Sequence, residues 1–159
     1  MCFADISESA IVTYFVLHCD ICNARSDGFY MTNSSSIDPV LHPFIGIPGL
    51  PFSEMVEAGR LMFLSGQIGS GADGKLVAGG IKAETRQTLA NIAVVLQRHG
   101  LSMERIVKVT VMMADMAEWG AMNEEYRAAF GKHLPARSAF GASGLAMGAR
   151  VEIECIALK

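Results

Sequence analysis

Hydrophobic and polar positions follow two regimes along this chain. The first 30 residues hold no clean helical or strand period, and the "MTNSSSIDPVLHPFIGIPGLP" that follows them is rich in Ser and Pro, as a linker or extended arm is. From Phe52 the pattern turns regular. Phe52–Glu57 and Leu61–Ile68 read as short strands joined by "AGR", in which Gly59 supplies the positive φ of a tight turn. After a Gly-rich loop, Ile81, Leu89, Ile92, Val95 and Leu96 recur at near-helical spacing, and Gly100 caps the run. These positions predict a first amphipathic helix.

"IVKVTVMM" (Ile106–Met113) is β-branched and alternates Lys108 and Thr110 with Val107, Val109 and Val111, as a strand with one buried face does. Asp115 with Glu118 resembles a capping box, and Trp119, Met122, Tyr126, Ala129 and Phe130 keep helical spacing up to Gly131. Ala136–Gly141 and Ala149–Leu158 read as two final strands. In the last one Val151, Ile153, Cys155 and Ala157 share the face opposite Glu152, Glu154, Ile156 and Leu158. The predicted order is ββαβαββ, an α+β fold with two helices on one face of a largely antiparallel or mixed sheet. The other face carries apolar residues such as Ile156, so sheets from several subunits are expected to pack together.

Composition narrows the picture further. With 159 residues the chain supports one core, here a domain over 48–159 behind an N-terminal extension of residues 1–47. Met31 stands near the start of the Ser-rich stretch, so residues 1–30 are either a late-acquired extension or the product of a start codon read too early. Half the residues are hydrophobic and 18% are charged, which makes burial of surface in an oligomer a natural outlet. A net charge of -3 leaves no basic footprint for nucleic acid. The apolar run Ile11–Leu17 is far shorter than the ~20 residues that span a bilayer. Asp5 and Glu8 precede it where a secretory leader would be basic, so a cytoplasmic protein without a membrane partner is expected. Three of the four cysteines, Cys2, Cys19 and Cys22, lie near the N-terminus and Cys155 lies near the other end. "HCDIC" offers a Cys-x-x-Cys beside His18, but no second pair completes a zinc site, and no metal is expected.

Two residues stand out chemically. Pro135 stiffens the chain ahead of Arg137, whose planar fork suits bidentate capture of a carboxylate; the alternative is a plain ion pair with Glu152 or Glu154. Glu152 and Glu154 share a strand face, where either one in an apolar cleft would hold its proton more tightly and could shuttle it. A solvated strand face is the competing explanation. "SGQIGSG" suggests close backbone approach at Gly66 but has no P-loop Lys. His99 and His133 sit near helix ends, where capping explains them, and the ten Met residues read as core filler.

The segments "PFSEMVEAGRLMFLSGQI", "TRQTLANI", "VKVTVMMADM", "MNEEYRAAF", "PARS" and "VEIECIAL" occur in the order seen in the RidA (YjgF-like) family, which the chain resembles over about residues 48–159. The resemblance implies a chorismate-mutase-like α+β fold and a homotrimer with a central barrel and three intersubunit clefts. It implies hydrolysis of reactive enamines and imines, chiefly 2-aminoacrylate and its imine tautomer, to 2-keto acids and ammonia, with no cofactor or metal. By the same resemblance Arg137 binds the substrate carboxylate and Glu152 positions water. Gly66 offers backbone contact, Asn123 lies near the cleft and Phe52 lines it. Many family members have Tyr at Phe52 and Cys at Ala139, so Phe52 and Ala139 should tilt the pocket toward apolar side chains. These departures also leave open a non-catalytic trimer that binds small carboxylates such as 2-keto acids. A ribonuclease, the activity attached to some relatives, runs against the acidic charge.

Overall fold

The computed structural model describes residues 38–45 and 49–159. Cys2, the Cys-x-x-Cys, Ile11–Leu17, Pro48 and the rest of residues 1–30 lie outside the described residues. Three strands come first: β1 (Val40–His42), β2 (Met55–Ala58) and β3 (Leu61–Ile68). Helix α1 (Gly80–Arg98), β4 (Ile106–Met113), α2 (Trp119–Phe130), β5 (Ala136–Gly141) and β6 (Val151–Leu158) follow. The α+β architecture and its mixed sheet are those expected, with β1 as an added strand. "VLH" is too short to show alternation, which is why the pattern did not reveal it.

The six strands form one sheet in the order β1-β2-β3-β6-β4-β5. All neighbours are antiparallel except β4 and β5, which run parallel and are joined through α2. The β2–β3 turn places Gly59 at φ 62°, a left-handed value open to glycine without a Cβ clash. β2 starts at Met55, leaving Phe52 in the preceding loop. α1 ends at Arg98, with His99 at the cap and Gly100 at φ 71° just beyond.

The expected capping box forms only in half. Asp115 accepts a hydrogen bond from the Ala117 N–H at 2.8 Å, whereas Glu118 accepts one from Arg150 at 2.6 Å instead of reaching back. A carboxylate beside a guanidinium gains more from that charge-assisted bond than from a lone backbone N–H.

Period-2 alternation sorts each strand. Val109, Val111, Val151, Ile153 and Cys155 are buried beneath Leu89, Ile92 and Leu96 of α1 and Met122 and Phe130 of α2. Burial pushes the Cys155 thiol up to about 12, so it is a packing residue rather than a nucleophile. The opposite sheet face leaves Phe63 and Phe140 exposed, and Phe63 sits across from Ile156. Among the described residues no helix is long and apolar enough to cross a membrane.

Candidate active site

Glu152 lies near the start of β6, and two groups of contacts fix its surroundings. The Arg150 backbone N–H donates to Glu84 at 2.8 Å, and the Arg150 side chain bonds Glu118 at 2.6 Å, tying the start of β6 to α1 and to the turn before α2. On the β3 side, Asn91 of α1 donates to the carbonyls of Ile68 and Ser70, both at 3.0 Å, and so holds the loop leaving β3. Between these anchors the β3–β6 register shifts from Leu64 to Gln67, and Gly66 falls in the shift.

Gly66 is there for space. A Cβ at this position would overlap Glu152 Oε1 and lie 2.9 Å from its Cδ. Gly66→Ala is therefore expected to swing the Glu152 carboxylate away, lowering kcat about 10²-fold with little change in Tm, since a flexible side chain absorbs the clash. Gly69→Ala makes the contrast, because its Cβ would stand 2.7 Å from the Glu84 backbone and should lower Tm. Parallel turnover and thermal-melt measurements on the two variants check this.

Glu152 and Gly66 share a cleft of about 560 Å³ with Phe44, Leu50, Phe52, Gln67, Ala146 and Met147. Ser65 Oγ donates to the Ser53 carbonyl at 2.7 Å and pins the loop carrying Phe52. The Phe52 ring meets Phe44 edge-on at 5.5 Å. Across the cleft Met147 takes a left-handed backbone, φ 57° and ψ 14°, uncommon for a residue with a Cβ. Burial raises the Glu152 carboxyl above its ordinary 4.5, and the Glu154 charge adds to the rise. No Lys or Arg lines the cleft.

Arg137 lies elsewhere. Val109 is the register partner of both Arg137 and buried Cys155, so Arg137 is on the helix-covered face. Met112 pairs in the same way with Phe140 and Glu152, which belong to the open face. Arg137 and Glu152 thus stand on opposite faces of the sheet, and an ion pair between them within one chain is ruled out. The guanidinium lies instead over Trp119 and Tyr126 of α2, 5.1 and 4.5 Å from the ring centroids. Ala139, two positions along β5, shares that face, and Asn123 falls between the two aromatics on one stripe of α2.

The six residues singled out in the sequence therefore form two groups, Phe52, Gly66 and Glu152 in the cleft and Asn123, Arg137 and Ala139 on the other side. Sequence reasoning missed Phe44, Leu50 and Met147 as cleft walls, because loops carry no periodicity. His133 Nε2 contacts the Ile106 carbonyl at 2.7 Å rather than the end of α2, whereas His99 occupies the α1 cap. Among the described residues no cluster of His, Cys, Asp and Glu is arranged to hold a metal ion.

Residues 47–159 match the family described as Endoribonuclease L-PSP. The chain is 41% identical over 110 residues to the mouse 2-iminobutanoate/2-iminopropanoate deaminase, covering 69% of this chain and 82% of that protein. The chain belongs to this family of RidA-type proteins. Within it, the Pyrococcus horikoshii RutC family protein is 42% identical over 69% of this chain and 87% of its own. Among solved RidA-type structures, the Yersinia pestis Rid-family protein YyfA superposes with a TM-score of 0.71 at 33% identity, covering 77% of this chain and all of that one. Escherichia coli TdcF, solved with bound serine, gives a TM-score of 0.65 at 30% identity over 75% of this chain and 93% of its own.

Proposed function

We propose that the protein hydrolyses 2-imino acids and their enamine tautomers, 2-aminoacrylate among them, to 2-keto acids and ammonia. One observation carries the reading: a cleft whose Glu152 carboxyl is raised above its ordinary pKa by burial and which has no cation of its own, and an Arg on the opposite sheet face. Either half alone lacks what a carboxylate substrate needs. A second copy that lays its β5 edge against the cleft would complete it, and a homotrimer with its open sheet faces turned inward as a barrel provides three such contacts. The exposed Phe63 and Phe140 support burial of that face.

In the completed cleft the Arg137 guanidinium holds the substrate carboxylate, so the imine carbon faces Glu152. The Glu152 carboxylate takes a proton from water as its oxygen bonds to that carbon. The C=N π pair moves to nitrogen, which takes that proton from Glu152 to give a carbinolamine; Glu152 then relays the hydroxyl proton to nitrogen as C=O forms and the C–N bond breaks, releasing ammonia and the 2-keto acid. Mammalian relatives about 40% identical bear the 2-iminobutanoate/2-iminopropanoate deaminase name, and TdcF was solved with an amino acid bound, both in keeping with this chemistry. The endoribonuclease in the family's description finds no support in a chain of net charge -3, which offers no basic stripe to meet phosphates.

A panel of imino acids generated in situ from alanine, 2-aminobutyrate, leucine, methionine and phenylalanine tests the proposal. With walls from Phe44, Leu50, Phe52 and Met147, kcat/KM is expected to rise about 4-fold for each added CH₂ that the cleft buries. No acceleration with any member overturns the deaminase reading; 2-keto acid binding without turnover would mark a binding protein instead.

A further inference from the structure

A guanidinium at a sheet edge ordinarily pairs with a carboxylate of its own chain or lies in water. Arg137 does neither. It is half-buried, and among the described residues no carboxylate comes within ion-pair distance of it. Its Cζ lies over two aromatic rings.

From this arrangement we infer that Trp119 and Tyr126 act as an aromatic clamp, positioning the Arg137 guanidinium while leaving its N–H groups free for a substrate carboxylate. The inference rests on the reading of Arg137 as the carboxylate anchor. A ring face attracts a cation through its quadrupole without taking up N–H donors. An acidic partner would orient Arg137 equally well but would compete with the substrate for those donors. Two π faces supply orientation without that competition.

Local structure explains how the clamp is built. The β4–α2–β5 crossover lays α2 over the parallel pair, and Arg137, just inside β5, faces it. Trp119 opens α2 and Tyr126 comes two turns later, so both rings lie along one stripe. Tyr126 is itself steadied by Phe130, with ring centroids 4.4 Å apart. Burial pushes the Tyr126 phenol up to about 12, the Arg137 charge opposing the rise, so the ring stays neutral through the physiological range. Its hydroxyl has no hydrogen-bond partner among the described residues, and its contact with Arg137 is through the ring.

Trp119→Leu keeps apolar bulk and removes the indole face. The expected result is a KM for 2-iminobutanoate about 3- to 30-fold higher, with kcat within about 2-fold of wild type, as the loss of a uniform binding interaction requires. Trp119→Phe should recover most of the loss. Trp119 is the single Trp in the chain, so its emission reports on the clamp without any need for turnover. Titration with 2-oxobutanoate is expected to shift that emission in the wild type and to leave it unmoved in Arg137→Ala. A wild-type KM in Trp119→Leu overturns the clamp, as does unmoved wild-type emission at 2-oxobutanoate concentrations that calorimetry shows to be saturating. A collapse of kcat together with Tm would make Trp119 a packing residue and overturn it too. Full activity in Arg137→Ala strikes instead at the anchor reading beneath, so the two failures are distinct.

Discussion

Arg137→Ala is expected to lower kcat/KM for 2-imino acids about 10²- to 10³-fold, the scale on which removal of one partner of a desolvated charge pair is felt. The fold should survive, because Arg137 stands at the sheet edge and ties no element to another by an ion pair. The loss is expected in KM more than in kcat, since a group that grips the carboxylate does so in ground and transition state alike. Mixing makes a sharper measurement. If each cleft takes Glu152 from one copy and Arg137 from the next, refolding Arg137→Ala with inactive Glu152→Gln in equal amounts should return activity at about a quarter of the sites, as random assembly of a closed ring predicts. Mixtures that stay inactive, although mass measurement shows mixed oligomers, would overturn the shared cleft.

Glu152→Gln keeps the shape of the side chain and removes the proton acceptor, so kcat is expected to fall about 10²- to 10⁴-fold with KM nearly unchanged. The acidic limb of the wild-type kcat/KM profile should lie above the ordinary carboxyl value of 4.5, because burial and then Glu154 favour the protonated form. Glu154→Gln should move the limb toward lower pH by part of that distance, burial being the larger cause. Stability carries the same signature. A carboxyl whose pKa is higher in the fold than in the unfolded chain stabilises the fold below 4.5, and that contribution fades as pH rises through the raised value. Glu152→Gln should therefore unfold at slightly higher temperature than wild type above that window, a difference readable by calorimetry across pH.

Periodicity was informative wherever an element is long and has one buried face. Ile106–Met113 and the stripe of α1 residues from Ile81 to Leu96 could be read directly, because alternation and helical spacing are local properties. Residue chemistry singled out Arg137, Glu152 and Gly66, to which the motif resemblance gave roles, and the resemblance alone brought in Phe52, Asn123 and Ala139. β1 escaped notice because its three residues complete no period, and Phe44, Leu50 and Met147 because their backbone follows loop conformations.

By itself the sequence determined the residue types of the chemistry, an Arg suited to a carboxylate and a Glu on a mostly apolar strand, and the elements that carry them. It did not determine their relation in space. That relation depends on strand order and register, which pass from β6 through β4 to β5 and put Arg137 beside Val109 but Glu152 beside Met112. Adjacent residues of a strand point to opposite faces, so strand order and register decide whether Arg137 and Glu152 share a face, and here they put them on opposite ones. Only the tertiary structure made that choice. It also set the Arg137 guanidinium against Trp119 and Tyr126, a contact between two elements whose crossover no local pattern encodes.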